Sequence, residues 1–260
     1  MIETFSVGGV LGAGFRIYFR NFIAFTLIAA IIYIPLMAFQ WYGMQHLGSG
    51  SGSSAWIERA LQMGLNAFVS GTLTFGVVKE LQGQRASIGA CIVTGFSRLV
   101  PVAVVAFLVL ICEMIVPAIA VGMGIAMQSV GGVLFLMLLS FIPAIIIACM
   151  LYVATPAAVL EKPGVFGALR RSRELTQGYK GAIFGVLFLL GLFAFGIGLI
   201  LATALDVTKS LHNMQTFIYV TMGINVVFGA IGACVQAVAY YTLRVEKEGA
   251  NVNELASVFE

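Results

Sequence analysis

Charged residues are scarce in this sequence. Only 10% of the 260 residues are Asp, Glu, Lys or Arg, and 60% are hydrophobic, whereas soluble domains have about 25% charged and about 45–50% apolar residues. A soluble fold of this length could not cover its surface with so few charges, so the composition predicts a chain that uses lipid as its solvent. The basic residues are few and are separated by apolar runs, which argues against a nucleic-acid partner.

Residues that carry chemistry are also scarce. The sequence has two histidines and four cysteines, and no cysteine has the CxxC or Cys/His spacing of a metal or redox site. The cysteines lie in apolar segments, which predicts buried thiols. No phosphate-binding glycine loop, Ser/His/Asp set or pair of carboxylates outside the apolar runs is present. We therefore expect no catalytic residue, no metal and no cofactor, and a protein that is not an enzyme.

Long apolar runs are abundant. About 20 helical residues cross a hydrocarbon core of about 30 Å, and six runs reach that length, which predicts six transmembrane helices. The second is the least apolar, because Gln62, Asn66 and Ser70 lie within it; such residues are tolerated where they face other helices. The predicted spans are 22–43, 57–78, 100–126, 131–158, 181–205 and 215–243.

The positions of lysine and arginine predict the orientation. Twelve of the fourteen fall before the first span, after the last, or in the second and fourth connections; only Arg59 and Lys209 fall on the other side. By the positive-inside rule the twelve are cytoplasmic, and an even number of spans puts both termini there. The opposite side carries short connections, among them the flexible Gly/Ser stretch 48–54, which is either natural or engineered.

The sequence also repeats itself weakly. Ser6 to Phe15 matches Ser87 to Phe96 at an offset of 81 residues, and a third copy starts at Gly164. The interpretation is one transmembrane domain over 1–260, built from three parallel units, each a cytoplasmic interfacial amphipathic helix followed by a transmembrane hairpin. The alternative is chance similarity between apolar segments. The units span about 5–80, 86–161 and 164–246.

One acidic residue lies deep in a predicted span. Glu113 is near the middle of the third span, where an acid is costly and is by default a candidate functional residue. No Lys, Arg or His occurs at comparable depth, so the expected neighbours are polar amides: Asn66, Asn225 and Gln236. Two interpretations stay open: a structural hydrogen bond or an acid facing the outer side, and a proton or substrate site.

The densest basic patch is Arg170, Arg171 and Arg173. Because guanidinium groups match phosphate geometry, anionic lipid headgroups are natural ligands. The alternative is purely topological, with the positive charges simply keeping the loop inside. The predicted headgroup-binding set combines this patch with other basic residues near the same interface: Arg16, Arg20, Arg98 and Lys180.

Several segments resemble a known family. Leu160-Glu161, the stretch ALRRSRELT over 168–176, and AYYTLR over 239–244 resemble the bacterial six-span family of YciC-like inner-membrane proteins and the membrane domain that accompanies some glycerophosphoryl diester phosphodiesterases. The resemblance implies a multi-pass protein of the bacterial inner membrane with a role at the lipid surface. It transfers no catalytic residue.

These observations lead to two functional hypotheses. The first is a non-enzymatic inner-membrane protein that binds membrane lipids, another membrane protein or a second copy of itself through its cytoplasmic interfacial helices. The second is a small transporter or channel that uses Glu113.

Overall fold

A computed structural model of the chain describes residues 5–46, 52–81, 83, 88–126, 128, 130–161, 164–206 and 211–249. Nearly all of these residues are α-helical. The helices are α1 (Val7–Arg20), α2 (Phe22–His46), α3 (Gly52–Leu81), α4 (Ile88–Ser97), α5 (Leu99–Ala126), α6 (Val130–Leu151), α7 (Ala154–Leu160), α8 (Val165–Thr176), α9 (Lys180–Ala204) and α10 (Leu211–Glu248).

Five stretches of helix are long and apolar enough to cross a membrane. They confirm the predicted multi-pass, all-helical class, but the sixth span, which would be α3, stays a prediction. The reason lies in the composition of α3, which carries polar residues along much of its length. The five candidate spans are Phe22–Tyr42, Val100–Ala126, Val130–Leu160, Lys180–Ala204 and Thr216–Glu248.

Helix α3 lies at the centre of the helix packing. It contacts α2, α4, α5, α7 and α10, and its residues Val69, Leu73 and Val77 are fully buried. The hydroxyl groups of two buried threonines are satisfied within the helix: Thr72 donates to the Phe68 carbonyl at 2.8 Å and Thr74 to the Ser70 carbonyl at 2.6 Å. A helix surrounded by other helices does not need an apolar surface, which explains its low hydropathy.

The outer helices show the opposite pattern. Large apolar side chains of α5, α6 and α9 are exposed, for example Val100, Leu138 and Phe195 at 70%, 69% and 68%. Such a surface would be unfavourable in water and fits contact with lipid chains.

The start of α1 and the end of α10 meet at one end of the bundle. The Ser6 side chain caps α1 by accepting from the Gly9 amide at 3.1 Å, and the Phe5 amide donates to the Glu246 carboxylate near the end of α10 at 2.9 Å. Helices α1 and α10 also touch closely at Gly14, where a Cβ would lie 2.9 Å from Val235 Cα. Only glycine allows this approach.

The predicted span 131–158 falls within the candidate span Val130–Leu160, which a turn at Tyr152 and Val153 divides into α6 and the short buried helix α7. The Gly/Ser stretch 48–54 was expected to be a loop throughout; 48–51 lies outside the described residues, and α3 already begins at Gly52.

Candidate functional site

The break between α6 and α7 follows from a proline. In a continuous helix the amide of residue 156 would donate to the carbonyl of Tyr152, but Pro156 has no amide hydrogen. The carbonyl of Tyr152 instead accepts a hydrogen bond from the Gln236 side chain of α10. A freed backbone carbonyl at membrane depth requires such a partner, so Gln236 stabilises the broken helix.

Helix α8 supplies further partners for the break. The hydroxyl groups of Ser172 and Thr176 both donate to the carbonyl of Met150, at 2.9 and 3.2 Å. Both hydroxyls belong to side chains buried against α6 and α7. The short helix α8 is therefore bound to the last turn of α6 by polar contacts as well as by packing.

A cavity of about 240 Å³ opens beside this break. Helices α3, α5, α6, α9 and α10 all contribute to its wall, and the half-buried Glu113 lines it from α5. Among the described residues that line it, none is Lys, Arg or His. The polar lining residues are Asn66, Glu113, Tyr152, Thr155 and Gln236.

A second, larger cavity of about 470 Å³ adjoins the first. The two share the lining residues Asn66, Tyr152, Leu187 and Gln236, and we call the two adjoining spaces together the central cavity. Asn225 of α10 lines this second part. All four predicted intramembrane polar residues, Glu113, Asn66, Asn225 and Gln236, thus line the central cavity.

Hydrogen bonds between helices fix several of these side chains. Gln236, besides donating to Tyr152, accepts from the Ser70 hydroxyl of α3. Asn66 of α3 accepts from the Tyr33 hydroxyl of α2 through its side-chain oxygen, which leaves its NH₂ group to face other partners.

Polar positions 62, 66 and 70 recur every four residues along one face of α3. This spacing could have predicted a polar face, whereas nothing in the sequence indicates that Tyr152 and Thr155 join it.

A cluster of charges closes one end of the bundle beyond the central cavity. Arg171 of α8 lies 2.6 Å from the Glu161 carboxylate and also bonds to Glu248 of α10. Arg244 lies 3.1 Å from Glu248, and the Tyr240 hydroxyl donates to Glu161 at 2.5 Å. We call these five residues the charge cluster. It joins α8, the end of α7 and α10.

The charge cluster is half-buried, with side-chain exposures of 20% for Arg171, 16% for Glu161 and 17% for Arg244. Burial by itself would lower the pKa of the Arg171 guanidinium, but hydrogen bonds and charges from Glu161 and Glu248 outweigh this effect and hold that pKa above its ordinary value. Arg171 therefore stays charged and is paired within its own chain, while its predicted role in binding lipid headgroups stays a prediction.

The other predicted headgroup-binding residues differ in their surroundings. Arg20 is largely exposed and pairs with Glu80 at 2.9 Å, Arg170 pairs with Glu174 at 2.9 Å, and Arg98 is half-buried between α4 and α5. Three more are exposed and form no ion pair among the described residues: Arg16, Arg173 and Lys180. The predicted set is therefore divided between residues bound within the chain and residues open to an external anion.

The cysteines are free thiols. Cys91, Cys149 and Cys234 are buried and Cys112 is half-buried, as the sequence predicted. Within the described ranges, no group of three or more His, Cys, Asp or Glu side chains could hold a metal ion.

Fold and site together define a multi-pass helical membrane protein with a polar cavity among its helices. Comparison with protein-family models, with curated proteins and with solved structures found no match. The resemblance to YciC-like proteins accordingly stays a prediction.

Proposed function

We propose that the protein is a small transporter whose central cavity binds a polar, cationic solute beside Glu113. The observation that carries the proposal is the convergence of Glu113, Asn66, Gln236 and Tyr152 on one cavity of about 240 Å³ within a very apolar bundle. Intramembrane acids commonly mark ion or substrate pathways. The lining contains no basic side chain among the described residues, so its one carboxyl group, on Glu113, is the group that can pair with a cation.

The broken helix supports this function. Transporters often bind their substrates near the bilayer midplane, where helices are discontinuous and backbone carbonyls face a cavity. Here the α6–α7 break contributes Tyr152 to the lining of the central cavity. A break in a packed helix costs free energy, because a freed carbonyl needs a partner of its own. A break that is kept beside a polar cavity is therefore a candidate functional feature.

The proposed membrane arrangement has six spans, with α3 as the second and both termini cytoplasmic. The contact of Phe5 with Glu246 supports termini on one side, and the basic residues counted in the sequence support the cytoplasmic assignment. The order of one short helix before each pair of long ones, α1, α4 and α8, supports three related units.

Thiol accessibility tests whether the central cavity admits water and cations. The background has all four cysteines replaced by alanine. In proteoliposomes, Asn66→Cys should react at least tenfold faster with a small cationic methanethiosulfonate than Ile142→Cys. Ile142 is 61% exposed on the outside of α6, where it would contact lipid instead of water. An anionic reagent of similar size should react more slowly at Asn66→Cys, and adding Glu113→Gln should remove that charge preference.

Radiolabelled guanidinium uptake then tests transport itself. Proteoliposomes containing the protein should take up the cation faster than empty liposomes, and Glu113→Gln should lower the rate towards that of empty liposomes. Equal reactivity of Asn66→Cys and Ile142→Cys would mean that the cavity is closed to water, and guanidinium uptake that is equal in protein-containing and empty liposomes would remove the transport hypothesis.

The exposed basic residues favour a second candidate, the binding of anionic lipid. Arg16, Arg173 and Lys180 are open to phosphate groups. Replacing all three by Gln should abolish a preference of the protein for spin-labelled phosphatidylglycerol over phosphatidylcholine in mixed bilayers. An unchanged preference would exclude these residues as the headgroup site.

A further inference from the structure

A groove between α5 and α6 continues the central cavity towards the lipid. It has a volume of about 260 Å³ and an almost entirely apolar lining. Its one hydroxyl, on Ser140, donates to the Met137 carbonyl at 2.7 Å and is thereby satisfied. The apolar lining consists of Met114, Pro117, Met137, Phe141, Ala144, Ile145 and Ala148. We call this feature the α5–α6 groove.

The groove faces outward. Phe141 is 60% exposed and Ile145 38% exposed, and they lie on the surface that presents its apolar side chains to lipid. An alkyl chain could therefore enter the groove from the bilayer without passing through water. Since lipid chains are as apolar as the lining, such a chain would gain little from hydrophobicity alone, and any selectivity must come from what lies at the inner end.

Glu113 lies at that inner end. Glu113 and Ala148 line both the groove and the central cavity, so the two spaces meet at these residues. The small side chain of Ala148 leaves room at the junction, and Pro117 lacks the amide hydrogen that would otherwise bond to the Glu113 carbonyl one turn earlier. An acidic residue thus separates an apolar groove from a polar cavity.

We propose that the central cavity and the α5–α6 groove together bind a single-chain amphiphile with a cationic head. The head lies in the cavity beside Glu113, with Asn66, Tyr152 and Thr155 as hydrogen-bonding neighbours, and the alkyl chain lies in the groove. This inference rests on the proposed function, to which it adds the class of substrate and its lateral route of entry from the bilayer.

The charge of the lining selects this occupant over a bilayer phospholipid. Among the described residues that line the cavity and the groove, none is Lys, Arg or His, so a phosphate would find the Glu113 carboxyl and no counter-charge. An anion without a positive partner is costly to hold away from water. A cationic or amine head has the opposite preference.

Photocrosslinking in phosphatidylcholine nanodiscs tests the inference. The probes are a twelve-carbon amine and the matching carboxylic acid, each with a diazirine near the end of the chain, and labelled peptides are identified by mass spectrometry. The amine should label α5 and α6 at least tenfold more than the acid. Ala144→Phe, which fills the groove, should reduce amine labelling at least fivefold. Ile142→Phe, on the exposed side of α6, is the matched control and should not.

The outcomes separate this inference from the proposed function. Equal labelling by the amine and the acid, or labelling that Ala144→Phe leaves unchanged, would overturn the amphiphile site. The thiol reactivity of Asn66→Cys with the small cationic reagent does not require the groove and should survive Ala144→Phe. If that reactivity persists while Ala144→Phe leaves amine labelling unchanged, the cavity still admits small cations and only the lateral route of entry is wrong.

Discussion

Replacing Gln236 by leucine should destabilise the protein through the broken helix. Leucine is similar in size but cannot donate to the Tyr152 carbonyl or accept from the Ser70 hydroxyl. An unsatisfied buried polar group costs about 1–3 kcal/mol. Ser70 can turn to a carbonyl of its own helix, whereas the Tyr152 carbonyl has no amide at residue 156 to accept from. The lost hydrogen bond between Ser70 and Gln236 adds about 0.5–1.5 kcal/mol, so the expected total loss is ~2–4 kcal/mol.

A second substitution distinguishes this mechanism from a general packing defect. Pro156→Ala restores an amide four residues after Tyr152, and in the Gln236→Leu background it can donate to the orphaned carbonyl. The double variant should regain about 1–3 kcal/mol relative to Gln236→Leu, which is a favourable coupling energy between the two sites. The matched control is Asn225→Leu, on the same helix and in the same cavity, which should cost less than about 0.5 kcal/mol.

The buried cysteines provide the assay. Cys91, Cys149 and Cys234 are shielded in the folded protein, so a dye that fluoresces on reaction with thiols reports unfolding during heating in dodecyl maltoside. With a shift of about 2–4 °C per kcal/mol, Gln236→Leu should melt roughly 4–16 °C below the parent protein. Purely additive effects of Gln236→Leu and Pro156→Ala would refute the hydrogen-bond explanation.

Three further predictions concern the ends of the bundle, with the same melting assay. Arg171→Gln should cost ~1–3 kcal/mol, because Arg244 then remains as the only positive charge of the cluster beside the half-buried Glu161 and Glu248. Arg170→Gln, whose ion pair is largely exposed, should cost below about 0.5 kcal/mol. Equal losses would contradict a stabilising role of the charge cluster. Folding raises the pKa of the Arg171 guanidinium above its ordinary value, so the contribution of Arg171 to stability is present below that ordinary pKa and is lost only at higher pH. The difference in stability between Arg171→Gln and the parent should therefore change little between pH 8 and 10. A marked decline in that window would show that Arg171 loses its charge there. Gly14→Ala should cost ~1–3 kcal/mol by overpacking against the Val235 backbone. The control is Gly12→Ala, which has open space around it and should be neutral or stabilising by up to about 1 kcal/mol. Similar melting temperatures of the two variants would rule out the close contact of α1 with α10.

The helices could be predicted from the apolar runs, and a kink or helix end could be expected at Pro35, Pro117, Pro143 and Pro156, but which of these prolines breaks a helix could not be predicted. Lipid leaves the backbone no partner except itself, so a long apolar run is helical almost of necessity. Proline alone does not identify a break, since Pro35, Pro117 and Pro143 all lie inside continuous helices. Pro156 differs because Gln236, 80 residues later in the chain, supplies the missing donor. Contacts of that range are not visible in a local pattern.

The candidate site was predictable to a similar extent. Glu113 was found because an acid is conspicuous in an apolar run, and its polar neighbours were found because they too lie inside predicted spans. The roles of the arginines could not be separated: Arg170 and Arg171 are adjacent in sequence, yet neighbouring positions of a helix point about 100° apart. One therefore faces solvent while the other faces Glu161 and Glu248.

The polarity of the central helix α3 also has a consequence for how the protein is made. In the six-span arrangement, α3 emerges from the ribosome long before α10, its main packing partner, because 130 residues separate Leu81 from Leu211. At about 5–20 residues per second, that interval lasts roughly 7–26 s. During it, α3 has α2 beside it, with the Tyr33 hydroxyl on Asn66, but its face towards Gln236 has no partner. Biogenesis must shelter that face until the last helix arrives.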